Sequence, residues 1–266
     1  MAASGTPVVF VHGLWLPADS WGAWADLFRE AGYAPSAPGW PGDGATIEET
    51  RGHPERVAGH GIGDVVAHYA NHIRGLGAKP IVIGHSFGGL IVQRLLGEDH
   101  AAAAVAIDPA PSKGVLYLPP SALRVASVAL RNPANWNRAV PLTREQFRYA
   151  FGNAIPQAES DALYERWAIA SPGKPLFEAA LANLAPNSPA KVNTKNASRG
   201  PLLITAGGKD HTVPAAISKQ TLRLYRNSPA VTDLREFPDR GHSLALDSRW
   251  RDVADAVLAW LQSHSL

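Results

Sequence analysis

Apolar residues fall along this chain in short compact runs that alternate with spaced stripes. Pro7-Val8-Val9-Phe10-Val11 and Lys79-Pro80-Ile81-Val82-Ile83 are such runs, as are Ala102 to Ile107, Leu202 to Thr205 and 231–237. Several are rich in β-branched residues and predict strands covered on both faces. Between them the apolar positions recur every three to four residues. Trp21, Trp24, Leu27 and Phe28 mark a helix over 18–31, and Ile62, Val65, Val66, Tyr69 and Ile73 another over 62–74. Gly88 to Leu96, 215–226 and 249–262 continue the series. Strands separated by single helices predict parallel pairing through right-handed crossovers, hence an open α/β sheet with helices on both faces.

The stretch 113–197 breaks that rhythm. It carries four helical patterns, at 120–131, 143–151, 158–169 and 176–184, with Pro and Gly between them and no convincing strand. The expected organisation is a core of residues 1–112 and 198–266 with an all-helical lid over 113–197. Ligands of open sheets bind beyond the strand carboxyl ends, which is where this excursion starts.

Composition narrows the function classes. The 266 residues include 45% hydrophobic and 18% charged positions, an ordinary globular balance. A net charge of +2 lacks the basic excess a dedicated nucleic-acid binder needs, so no nucleic-acid partner is expected. Zero cysteines exclude a thiolate nucleophile, an iron–sulfur cluster and Cys-ligated zinc. No signal-peptide pattern and no run of 18 apolar residues stand out, so a cytoplasmic protein without a membrane partner is the expectation. The bias toward Ala, Gly, Pro and Arg is that of a bacterial, high-GC genome.

The sharpest chemical signal is Gly84-His85-Ser86-Phe87-Gly88-Gly89, between a predicted strand and a predicted helix. That context is the one a G-x-S-x-G nucleophile elbow requires, with small neighbours to let the turn close and the helix N-terminus favouring a developing anion. It is not a phosphate loop, since neither G-x-x-x-x-G-K-[ST] nor G-x-G-x-x-G is present. A serine hydroxyl needs a base, and the base an orienting carboxylate, in the chain order serine, acid, histidine. His242, in Pro238-Asp239-Arg240-Gly241-His242-Ser243 between the last strand and last helix, is the candidate base. Asp210, just past the strand at 202–205, is the candidate acid; Asp108, in Ile107-Asp108-Pro109, stands as alternate acid or pocket residue. The N–H of Phe87 and that of Leu14, in His12-Gly13-Leu14-Trp15, are the candidate oxyanion donors. Trp15, Trp40, Asp108 and His85 are the substrate-binding candidates, each beside the oxyanion loop, a strand end or the serine. His12 reads as a structural hydrogen-bonder, and His68 with His72 as a surface helix face rather than a metal site. No cofactor and no metal are called for.

With His12-Gly13, Gly84-His85-Ser86-Phe87-Gly88, Gly207-Gly208-Lys209-Asp210 and Gly241-His242 in this order, the chain resembles the α/β-hydrolase superfamily, in particular its compact esterase-like members with a helical lid. Val11-His12-Gly13-Leu14-Trp15 followed by Trp21 and Trp24 looks similar to the hydroxynitrile-lyase and methylesterase branch. The chain begins at what that family counts as its third strand, so a sheet of about six parallel strands is expected. The resemblance implies cleavage of a carboxylic ester of a small, apolar molecule through an acyl-enzyme. Its alternatives are a hydroxynitrile-type lyase, which would place a lysine in the pocket, and a small-molecule receptor on the same fold. Dehalogenases and epoxide hydrolases of this fold need Asp where Ser86 stands.

Overall fold

The computed structural model describes residues 5–266. Its strands are β1 (Pro7–Val11), β2 (Ala34–Ser36), β3 (Ile81–His85), β4 (Ala103–Ile107), β5 (Ala139–Val140), β6 (Ser171–Pro172), β7 (Leu202–Gly207) and β8 (Thr232–Phe237). The α-helices are α1 (Gly22–Glu30), α2 (Ile47–Gly52), α3 (Ile62–Arg74), α4 (Phe87–Gly97), α5 (Pro120–Leu130), α6 (Arg144–Ala150), α7 (Gln157–Trp167), α8 (Lys174–Ala180), α9 (Ala215–Leu224) and α10 (Trp250–Ser263). Six strands form one parallel sheet in the order β2-β1-β3-β4-β7-β8. After β1 the chain moves outward to β2, then crosses back to place β3 on the other side of β1. That reversal makes a switch point, and a crevice opens there beyond the carboxyl ends of β1 and β3.

The central strands are buried because alternate residues of each run face opposite sides, and both sides are covered. Val9, Val11, Val82, Ala104, Ala106 and Ile204 join one hydrophobic cluster with α3 and α4. Val8, Phe10, Ile83, Val105, Ile107 and Leu203 join the other with α1 and α10. The second cluster is aromatic at its centre: Phe10 stacks on Trp21 at 4.9 Å and meets Phe28 edge-on at 5.3 Å. The sheet edges are protected by chemistry as well as position. β2 is three residues long and carries Pro35, while β8 exposes Arg235 and Glu236.

Most predicted elements lie within two or three residues of their observed bounds. Two differ from the expectation. β2 was not among the runs, since Ala34-Pro35-Ser36 has no apolar pattern of its own and is a strand only because β1 pairs with it. The segment between β4 and β7 is not all helical: β5 and β6 form a two-residue antiparallel pair that ties the start of that segment's α6 to the end of its α7. Helices α5–α8 share a continuous core with the sheet through Val125, Phe147, Phe151 and Leu176.

Phe28 is completely buried, packed among Phe10, Trp24 and Tyr33. Phe28→Ala should cost about 3–5 kcal/mol by denaturant unfolding, through lost transfer energy plus an unfilled cavity.

Candidate active site

β3 ends at His85 and α4 begins at Phe87, so Ser86 alone makes the turn. It sits at φ 57° and ψ −120°, a conformation that costs an L-residue energy and persists only where the surroundings enforce it. They do so by closeness. A Cβ on Gly84 would stand 2.2 Å from the Gly88 carbonyl oxygen, and one on Gly88 would stand 2.1 Å from that of Val11. Strand, helix and β1 therefore pass too near one another for any side chain at these two positions. The Ser86 N–H donates to the Ile107 carbonyl at 2.9 Å, and the Ser86 carbonyl accepts from Ala110 at 2.9 Å. The first N–H groups of α4, that of Phe87 included, have no intrahelical acceptor and point their dipole at this spot.

The loop after β1 lies against the serine. A Cβ on Gly13 would come within 2.8 Å of the Ser86 Cβ. Leu14 follows, buried, and Trp15 turns at φ 66°. The Trp15 N–H donates to Ser171 Oγ at 2.5 Å, its indole Nε1 to the Val140 carbonyl at 2.9 Å, and its carbonyl accepts from Ile169 at 3.1 Å. The loop is thus laced to β5 and β6. His12 is structural: Nε2 meets Asp43 Oδ2 at 3.0 Å and Nδ1 meets the Gly13 carbonyl at 2.9 Å.

Asp210 and His242 meet in the interior. His242 Nδ1 is 2.6 Å from Asp210 Oδ2, while Asp210 Oδ1 accepts the N–H groups of Thr212 at 2.7 Å and Val213 at 2.8 Å. Burial pushes the Asp210 carboxyl up, but the His242 charge and these hydrogen bonds outweigh it and hold Asp210 below the usual carboxylate range. An ionised Asp210 places the imidazole proton on Nδ1 and leaves the Nε2 lone pair free. Nε2 is buried and makes no protein hydrogen bond, to Ser86 or to any other group. The loop that carries His242 is clamped on both flanks. Arg240 pairs with Asp247 in the interior, Ser243 Oγ donates to Asp247 Oδ2 at 3.0 Å, and Trp24 Nε1 donates to the Ala245 carbonyl at 2.8 Å.

Ser86 opens onto a cleft of about 80 Å³ between the sheet and helices α5, α8 and α9. Five alanines line it (Ala110, Ala122, Ala126, Ala179 and Ala180), together with Trp15, Phe87, Leu176 and other apolar groups. Its polar side chains beyond the Trp15 indole are Ser86 and Thr212, and none of its lining residues is charged. A larger open groove of about 580 Å³ by Arg51 and Arg138 is lined by none of Ser86, Asp210 and His242.

Of the substrate-binding candidates, the structure places Trp15 in the cleft lining and the other three outside it. Trp40 packs on the His12 ring at 5.5 Å and donates Nε1 to the His12 carbonyl at 3.0 Å, which makes it a prop of the loop after β1. His85 is buried, its ring 4.5 Å from that of His242. Burial first, then the His242 charge, pushes its pKa well down, so it is neutral. Asp108 is buried beneath Asp210. One oxygen of Asp108, one of Asp210 and a ring nitrogen of His242 lie within 4.8 Å of one another, the one such trio among the described residues. It does not suit a cation, because the Asp210 oxygens and His242 Nδ1 are already committed to each other and to backbone N–H groups.

Sequence reasoning missed Arg240, Asp247 and Thr212. The first two had a signal: opposite charges bracketing a glycine–histidine loop otherwise lined with apolar residues. Thr212 had none, since its place in the cleft depends on how α9 packs.

A parallel sheet with a strand–serine–helix turn and an Asp–His pair at its carboxyl edge defines an α/β-hydrolase architecture. The sequence model described as the alpha/beta hydrolase family matches residues 8–256, and the chain belongs to that family. The fold is similar to that of a monoacylglycerol lipase from Paleococcus ferrophilus, at 24% identity, TM-score 0.69, and coverage of 98% of this chain and 97% of that one. It is also similar to a methylesterase from Arabidopsis (20% identity, TM-score 0.65, 97% and 99% covered). A pyrethroid hydrolase from Sphingobium faniae is a third (16% identity, TM-score 0.64, 97% and 98% covered). No curated protein matches at the level of sequence.

Removing the negative member of the buried Arg240–Asp247 pair leaves the guanidinium with two backbone carbonyls and the exposed Asp252 carboxylate at 3.5 Å, without its buried counter-charge. Asp247→Asn should therefore lower stability by about 3–5 kcal/mol in denaturant unfolding.

Proposed function

We propose that the protein hydrolyses a carboxylic ester of an apolar, uncharged molecule, with Ser86 as nucleophile, His242 as base and Asp210 as its orienting acid. The observation that carries this reading is the free, buried Nε2 of an imidazole whose Nδ1 is held 2.6 Å from Asp210 and whose ring packs 4.5 Å from that of His85, the residue before a serine forced into a strained turn. Such serine–imidazole contacts are commonly long without substrate and tighten when it binds.

The steps follow from that assignment. Nε2 takes the Ser86 proton as Oγ attacks the carbonyl carbon. The resulting oxyanion is met by the Phe87 and Leu14 N–H groups, each such donor being worth about 3 kcal/mol of barrier. The imidazolium returns its proton to the departing alkoxide, leaving an acyl-enzyme and free alcohol. Water, deprotonated by the same nitrogen, then releases the carboxylic acid and restores Ser86. Helices α5–α8 act as a lid, with Trp15 fastening it to the oxyanion loop.

The cleft supplies the substrate class. With no charged lining residue it offers nothing to a carboxylate, phosphate or ammonium group, and its alanines leave room for an apolar chain. The lining also holds no lysine, so a cyanide-releasing lyase would lack the cation that reading requires.

A p-nitrophenyl ester series from acetate to decanoate tests the assignment. Ser86→Ala should lose roughly 10⁴- to 10⁶-fold in turnover while its circular dichroism stays that of the wild type. Turnover that survives Ser86→Ala overturns it, and a bound ester that is never turned over points to a receptor.

The same series tests the cleft. Ala126→Phe should shift the chain-length optimum toward shorter acyl groups and cut kcat/KM for the longest ester by about tenfold or more, since each displaced methylene is worth about 1–3 kcal/mol. An unchanged optimum would mean the acyl chain lies elsewhere.

A further inference from the structure

Asp108 takes no part in the steps above, yet it is completely buried against the groups that do. Its backbone turns at φ 44° immediately after β4, delivering the side chain under Asp210. Thr205 Oγ1 donates to Oδ1 at 2.9 Å, and the Gly207 N–H donates to Oδ2 at 3.0 Å. One oxygen of Asp108 lies within 4.8 Å of an oxygen of Asp210, and among the described residues no other side chain is a hydrogen-bond partner of both carboxyl groups.

The titratable groups around this spot are few. Asp210 faces Asp108 from the loop after β7, His242 stands beyond Asp210 from the loop after β8, and His85 packs on His242 from the end of β3. No Lys or Arg pairs with either carboxyl among the described residues; the one basic side chain in contact is His242, on Asp210. Asp210 has that imidazole and two backbone N–H groups to answer its charge. Asp108 has one hydroxyl and one N–H. Two adjacent carboxylates beside a single imidazole in a dry interior cannot both remain ionised without a large cost.

We infer that Asp108 is a neutral carboxylic acid that donates its proton in a hydrogen bond to the Asp210 carboxylate and so fixes the acid that orients His242. Burial, and after it the Asp210 charge, push the Asp108 carboxyl well above the usual range, in keeping with the geometry. Asp108 is a positioning residue, because it reaches neither the cleft nor Ser86. Its effect on rate rests on the triad proposed above; its protonation state does not.

The test therefore begins without turnover. Infrared spectra of the resting protein at pH 7, with carboxyl-labelled aspartate so that glutamates do not shift, should show a protonated-carboxyl stretch that is lost in Asp108→Asn. Asp108→Ser, which keeps a hydroxyl donor in the site, serves the same reading if the Asn variant does not fold. In ester turnover, Asp108→Ala should lose about tenfold in kcat with KM little changed, and Asp108→Asn, whose amide also donates, should recover most of it. The apparent pKa of the rate profile should stay in place in Asp108→Asn, because a neutral group replaces a neutral group. An ionised Asp108 predicts the opposite sign of evidence: its loss would remove a negative charge near the base and lower that pKa by about a unit or more. Absence of the infrared band in the wild type, its persistence in the variants, or that downward shift would overturn the inference. Failure of the triad reads differently, as ester turnover that survives Ser86→Ala whatever the infrared spectrum shows.

Discussion

The site depends on how closely three pieces of backbone approach one another at the end of β3. Val11 of β1, Gly84 of β3 and Gly88 of α4 leave about 2 Å where a Cβ would have to stand, so the crossing exists only with glycine at two positions. Given that crossing, Ser86 has no freedom left. It must turn the chain in one residue, and its positive φ is the price. Among the described residues, three of the five non-glycine positions with positive φ are Trp15, Ser86 and Asp108, the residues that follow or closely follow β1, β3 and β4. Strain of this kind is concentrated at the carboxyl edge of the sheet, where the switch point opens the crevice.

Charge is organised there under a second constraint. Around Asp108 stand Asp210, His242 and His85, and among the described residues no lysine or arginine pairs with either of these two carboxyl groups. Asp210 carries the negative charge because it has the N–H donors and the imidazole. Neutral Asp108 and neutral His85 then flank an Asp–His unit rather than compete with it. The Arg240–Asp247 pair is the only other buried ion pair in the same loop, and it fixes the backbone that presents His242.

The helical segment between β4 and β7 is coupled to this edge through one residue more than any other. Trp15 uses its N–H, its carbonyl and its indole to bind Ser171, Ile169 and Val140, while its ring lines the cleft beside Ser86. Displacement of the segment would therefore pull on the loop that carries Leu14. An apolar cleft closed by alanines and a loop stitched to its cover are two consequences of the same packing.

Local patterning determined a good deal by itself. β1, β3, β4 and β7 are apolar runs whose neighbours are helical stripes, so the parallel sheet could be read directly, and Gly84-His85-Ser86-Phe87-Gly88 marks its own turn because every residue it needs is within five positions. Asp210 and His242 could be nominated from loops after late strands. What needed the folded chain was everything made by distant segments. β2 is a strand only by pairing with β1, and β5 finds β6 from 32 residues away by the register Ala139 to Pro172 and Val140 to Ser171. Trp40 looked like a pocket residue by its place after a strand, but the ring turned to His12 instead. The cleft draws its alanines from two helices and a strand-end loop, and Asp108 meets Asp210 across 102 positions of sequence. Propensity and turn chemistry act over a few residues and are written in order along the chain; burial, charge sharing and cavity shape are sums over neighbours that only tertiary packing brings together.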